Sequence, residues 1–445
     1  MEKRQYNLSD RFQVNGTNYE EFVDLMNQMA SATHYTKVEK QDVQFWYELR
    51  KTEDAHVLAR IDAAYLTLYE DQYRESARPE KAGDDGKAKS GPALPKRDVK
   101  VFKTKNPLME ESIKTNGMIC SVGGRCVYIG EDARMTLLMR AGLGGDWATK
   151  PSFWFSHALA EAMASSRQEM TMIIRSTPKE NNPKLCDHKC FGFMGGTYGP
   201  VRMDVIPKGI KRIGDETTMG RMKVHHWSVD QNFSYIYLMF PEAADNYKTT
   251  YKLPFKVTPI LMIQSSDTGM SSLIVRGGYM TEGGSIVITD EYSRRHTGEI
   301  NEEEILQNAQ EVILNFPKIP QALVEKMGNV IGEGNDLSKD LGKKRNRRAM
   351  ANAIRAMFKK LELKKILGIK RGPQLRDQMI AEINPAHTYT ECDLALLFMG
   401  LPGRIPDLPK DVATRFAKAC GKTPFIRLQD LEPDEEEDLV LLPEE

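Results

Sequence analysis

The chain has 445 residues, with 62 basic and 62 acidic side chains and a formal net charge of zero. That balance excludes a strongly basic field over the whole protein and leaves local charge asymmetry as the informative quantity. No apolar h-region opens the chain and no apolar run approaches the roughly 20 residues of a membrane span. Six cysteines in so long a chain make no disulfide scaffold, so a reducing cytoplasm without membrane contact is expected.

A length of this order predicts two or three domains. Residues 1–75 read as a helical N-terminal region. Tyr19, Phe22, Val23, Met26 and Met29 share one helical face, and Phe45, Leu49, Val57, Leu58, Ile61, Tyr65, Leu68 and Tyr69 suggest a second helix. Residues 76–98 (SARPEKAGDDGKAKSGPALPKRD) nearly lack apolar side chains. They cannot offset an ordering entropy of roughly 1–2 kcal/mol per residue, and so predict a flexible linker.

Residues 99–325 predict an α+β core with a mixed or antiparallel sheet, flanked by the helical N-terminal and C-terminal regions. Met118–Ile129 reads as a hairpin turning at Gly123-Gly124, Phe153–Met172 as a helix, and 194–200 as a loop. Strands are expected at Lys223–Val229, Phe233–Phe240, Val257–Ile263, Ser272–Val275 and Ser285–Thr289, and a helix at Glu302–Leu314.

Residues 336–425 predict a basic helical region. Between Lys339 and Arg376 there are fourteen Lys or Arg against two acids. Met350, Ile354, Met357, Phe358 and Leu361 form an apolar helical stripe there, with further helices at Gln374–Ile383 and Glu391–Met399. Residues 426–445 read as an acidic disordered tail, whose last sixteen positions hold nine acids around Leu439-Val440-Leu441-Leu442.

Five constellations are candidates for chemistry. Lys344, Arg345, Arg347, Arg348, Arg355, Lys359 and Lys360 crowd one helix, where neutralised phosphates would relieve their repulsion; the competing reading is a solvated basic face. Arg294 and Arg295, beside His296 at an elbow, suit a phosphate grip or pairing with Glu291 or Glu299. Cys186, His188 and Cys190, with Cys120 and Cys126 upstream, offer sulfur and nitrogen ligands to a tetrahedral zinc, although their spacing matches no standard knuckle. Asp267-Thr268-Gly269 matches the aspartic-protease tripeptide, but Gln264-Ser265-Ser266 before it favours a polar turn. Phe233, Tyr235 and Tyr237 share a strand face that would stack bases or fill a core. No acid–base pair is identifiable, so a reaction is not expected and no cofactor beyond that zinc is called for.

The apolar strand leading to Ser266-Asp267-Thr268-Gly269, the strands after it, and Arg295-His296-Thr297-Gly298 before a helix resemble a phage- and plasmid-borne family of the YafZ and YubP types. The likeness spans about residues 195–325. Where that family tends to carry a cysteine–asparagine pair, this chain has Thr289-Asp290-Glu291-Tyr292. The resemblance implies a mobile-element origin and brings no settled activity. The acidic tail with its apolar tip is similar to those of single-strand DNA-binding proteins, where the tip docks a partner protein. The expected function is nucleic-acid binding, with handling of single strands in replication or recombination. The alternative is an assembly protein that forms homo-oligomers through its N-terminal helices and meets an acidic partner with its basic helix.

Overall fold

A computed structural model describes residues 5–8, 11–51, 55–60, 99–102, 106–144, 152–179, 182–298, 300–331 and 339–431. The expected linker at 76–98 and positions 432–445 of the acidic tail lie outside the described residues.

The first elements are β1 (Gln13–Gly16), α1 (Tyr19–Ala32), β2 (Thr33–Glu39), β3 (Gln44–Lys51), β4 (His56–Arg60) and β5 (Val99–Phe102). There follow α2 (Pro107–Asn116), β6 (Met118–Val122), β7 (Arg125–Ile129), α3 (Glu131–Ala141), α4 (Ser152–Ala164), β8 (Glu169–Lys179), β9 (Asn182–Gly195) and α5 (Val205–Glu216). Then come β10 (Lys223–Asp230), β11 (Ser234–Met239), α6 (Pro241–Thr250), β12 (Val257–Ser265), β13 (Leu273–Thr281) and β14 (Ile286–Arg294). The helices α7 (Glu302–Leu314), α8 (Lys318–Met327), α9 (Lys339–Lys360), α10 (Leu363–Ala381), α11 (Glu391–Met399) and α12 (Lys410–Cys420) complete the order.

The fold is α+β and is built on two sheets. The first runs β1-β10-β11-β12-β13-β14, all antiparallel. Its central strand β12 is nearly continuous in apolar residues because both of its faces are covered. Leu261 and Ile263 face the main core with Trp227, Ile236, Val275 and Tyr279. Ile260 and Met262 face the opposite layer, where Ala417 of α12 meets Ile288. Helices α7 to α11 contribute to the same main core, so the C-terminal basic region packs into the body.

The second sheet runs β2-β8-β9-β7-β6-β3-β4-β5, with β7 and β9 parallel. One face carries α3 and α4 over Phe45, Met118, Val127, Met172 and Phe193; α2 covers the other over Trp46, Ile119 and Tyr128. Helix α1 leads from an edge strand of one sheet to an edge strand of the other. Asn18 caps it by accepting from the Glu20 and Glu21 amides, and the Asn18 carbonyl accepts the Trp227 indole N–H at 2.8 Å. A Cβ at Gly16 would lie 2.5 Å from that indole ring, so only glycine fits beneath it.

Several expectations are corrected. Over its described part the second expected N-terminal helix is the hairpin β3–β4: Phe45 and Trp46 point into opposite apolar layers, as neighbours on a strand must, and β3 pairs with β6; Ile61, Tyr65, Leu68 and Tyr69 lie outside the described residues. The described residues between 13 and 60 are therefore part of the two sheets and not a separate helical region, and the α+β body starts at β1 instead of residue 99. The apolar side of α1 (Phe22, Leu25, Met26, Met29) is buried in the core, so that face is not open to a second copy. The helix expected to reach Met172 stops at Ala164, and β8 begins at Glu169. Residues 426–431 belong to the folded body: the Ile426 carbonyl accepts from Lys326 Nζ at 2.5 Å, and Arg427 pairs with Asp430.

Candidate nucleic-acid interface and the buried polar junction

Helix α9 forms because Met350, Ile354, Met357 and Phe358 recur at helical spacing and bury together. Burying that stripe turns the cations outward. Arg348, Lys359 and Lys360 are exposed, and Arg347 and Arg355 are half-buried. Arg355 Nη1 donates to Asn352 Oδ1 at 3.0 Å. The side chains of Lys344 and Arg345 lie outside the described set.

Helix α10 continues the charge with exposed Lys364, Lys365, Lys370 and Arg371, positions that charge counting included but did not single out. Nearby carboxylates are already engaged: Glu362 with Lys365, Asp377 with Arg376 and Glu382 with Arg404. Arg348, Lys360, Lys364, Lys370 and Arg371 make no ion pair among the described residues. Asp430, just before the acidic tail, has its carboxyl held below the usual range by Arg427, with a further contribution from Lys360.

The elbow arginines divide. Arg294 pairs with Glu304 in the first turn of α7 and donates to the Thr297 carbonyl at 3.3 Å, so its charge is met within the protein. Arg295 is exposed. The strand aromatics are covered. Tyr237 packs in the layer under α12, and Lys410 sits 4.8 Å over the Tyr235 ring.

The motifs around Asp267 meet at a buried junction between the two sheets. Asp267 is 1% exposed and Arg175 on β8 is 0% exposed. Their side chains bond at 2.7 Å. Thr33 Oγ1 donates to the other Asp267 oxygen at 3.2 Å, and Arg175 also donates to the Gln231 carbonyl at 2.8 Å. The guanidinium lies 4.3 Å from the Phe191 ring centroid. One carboxylate opposite an arginine, out of reach of solvent or a second chain, cannot share a proton as a protease dyad does.

Tyr198 and His296 close this junction, with ring centroids 5.6 Å apart. His296 Nε2 bonds the Ser271 carbonyl, and the Gly199 amide donates to the His296 carbonyl at 3.0 Å. A Cβ at Gly199 would lie 1.8 Å from the Gly298 oxygen, so the two backbones meet only because this position is glycine. Asp132 at the start of α3 accepts from Gln231 and Asn232 at 2.7 Å each, tying the β10–β11 turn to the second sheet. Three of these segments read from the sequence as separate turns, whereas Arg175, three residues past the expected helix Phe153–Met172, carried no signal.

Burial is the first cause holding His188, His226 and His296 below the ordinary histidine value of 6.5. The folded state then favours neutral imidazoles, and the unfolded chain binds more protons as pH falls. Their stabilisation is complete above about pH 6.5 and is lost as pH drops through the lower folded values. The urea midpoint is expected to decline from about pH 7 to 5, before the carboxylates titrate; a flat midpoint across that range would contradict this.

The proposed zinc ligands are dispersed. Cys120 pairs with Val127 and Cys126 with Ser121, which puts the two thiols on opposite faces of the sheet. Cys120 and Cys190 lie in the apolar layer under α3 and α4. They donate to the Val127 and Gly192 carbonyls at 3.3 Å, and burial pushes the Cys190 thiol up to about 12. Cys186 is exposed, and His188 Nδ1 bonds Ser176 Oγ at 2.8 Å. No cluster of three metal-ligating side chains forms among the described residues.

No family model, curated protein or solved structure matches the chain. Among the described residues no helix is long and apolar enough to cross a membrane.

Proposed function

We propose that this protein binds nucleic acid through the cationic face of α9 and α10, as a cytoplasmic, non-enzymatic component of a phage or other mobile element. One observation carries the reading. Arg348, Lys360, Lys364, Lys370 and Arg371 stand exposed without ion pairs among the described residues, on helices whose apolar stripes are already used by the core. Phosphates meet such charges at little desolvation cost and release condensed counterions. Handling of single strands in replication or recombination is the use we assign to this face.

The test is fluorescence anisotropy of the full chain with labelled single-stranded and duplex oligonucleotides over a range of salt. Salt-sensitive binding that weakens when these five side chains are replaced by glutamine supports the reading. Equal, weak binding by parent and variant ends it.

The chain leaves the described structure one residue after Asp430, close enough to Lys360 for the two charges to interact. Eight further acids follow in residues 432–445. Truncation after Leu431 is therefore expected to tighten binding several-fold at low salt, through loss of competing carboxylates. An unchanged affinity would show that the tail does not compete for this face.

A further inference from the structure

Helix α10 is two helical legs joined at Gly368, whose φ of 87° and ψ of 169° interrupt the helix. The legs touch. A Cβ at Gly372 would lie 3.0 Å from the Lys364 Cα, so the chain folds back on itself and residues 368–371 form a tip. Leu363, Leu367, Leu375, Met379 and Ile380 of the two legs are buried in the core. Ile369 is 82% exposed, against 7% for Leu367 two positions earlier. Exposed Lys364, Lys365, Lys370 and Arg371 flank it.

A branched apolar side chain held on a tight turn among cations is a mixed surface. An apolar protein partner covering Ile369 would also have to desolvate the ammonium and guanidinium groups beside it. A nucleic acid satisfies both parts. Its phosphates meet the cations, and the sugars and base faces a few ångströms inward are apolar enough to receive an isoleucine. We infer that the 368–371 tip is a wedge: Ile369 seats against the bases while Lys364, Lys370 and Arg371 hold the flanking phosphates. This rests on the nucleic-acid reading above and assigns its point of contact.

The two parts separate experimentally because phosphate contacts set the salt slope, whereas apolar insertion does not. Full-length parent, Ile369→Ser and the triple glutamine variant at Lys364, Lys370 and Arg371 are titrated against oligonucleotides carrying 2-aminopurine. Ile369→Ser should weaken binding about 10-fold at every salt concentration, the loss expected for one buried aliphatic side chain. Its slope should match the parent's, and the fluorescence change on binding should disappear. The triple variant should keep the fluorescence change at saturation and lose about 0.9 of slope per removed contact on duplex. Because Ile369 is solvent-exposed, unchanged melting temperatures confirm that neither variant acts through unfolding.

Steeply salt-dependent binding that Ile369→Ser leaves untouched overturns the wedge while preserving the proposed function. Absence of salt-dependent binding by the parent overturns both. Tighter binding by Ile369→Ser in the full chain, but not after truncation at Leu431, would assign Ile369 to Leu439–Leu442 of the tail and overturn the wedge.

Discussion

Replacing Asp267 with alanine is expected to destabilise the fold by about 3–5 kcal/mol, because it strands a fully buried guanidinium. Arg175 has no exposure to recover hydration, and its Nε and Nη1 already lack partners among the described residues. The carboxylate is its counter-charge and also takes the Thr33 hydroxyl. The double replacement Arg175→Met with Asp267→Leu should recover much of the loss, since removing both charges also removes both desolvation costs. Urea midpoints of the two single variants and the double variant, read with their m-values, complete the cycle. A single-variant loss below about 1 kcal/mol would mean that the junction does not depend on this pair.

The affinity for duplex DNA is expected to fall about 500-fold between 50 and 200 mM salt, given a slope near −0.9 per phosphate contact and five contacts. For a single strand the slope per contact is nearer −0.7, so the same five side chains give about −3.5 against about −4.5 for duplex. The slope therefore differs between the two forms even for identical contacts, and strand preference is read from the two affinities at one salt concentration. Each glutamine replacement among Arg348, Lys360, Lys364, Lys370 and Arg371 should lower the slope by about one contact's worth and leave stability unchanged, because these side chains are exposed and unpaired. A slope that survives all five replacements would place the contact surface elsewhere.

The elements with local signals were legible in advance. The run from Val257 to Thr289 reads as strands because short apolar stretches are bounded by the polar turn at 265–269 and by paired glycines. The Gly123-Gly124 turn reads from two positive φ values that only glycine adopts freely. The α9 stripe and the helix at Glu391–Met399, which ends at Gly400, are local as well.

What could not be read depends on partners far along the chain. Phe45 and Trp46 look helical until β6 fixes them on opposite faces. Arg175 finds Asp267 across 92 residues, and Gly199 meets Gly298 only when both sheets are in place. The charge density of 339–376 was plain, but the turn at Gly368 was not: an isolated glycine inside an apolar, basic run carries no mark of its φ. The cysteines looked closer together than they are, since a hairpin register offset by one residue sends their thiols to opposite faces.

The placement of α1 between two sheet edges has a consequence for biosynthesis. Strand β1 waits for β10, and β2 for β8, so β1 has no ladder to join until some two hundred further residues have left the ribosome, and β2 none until about 130 have. At about 5–20 residues per second the longer interval is roughly 10–40 s. Throughout it the unpaired edge of β1 stands open to other nascent chains. Closing such long-separation pairings is slow in any case, which makes capture of the amino-terminal segment the step at which folding and aggregation compete.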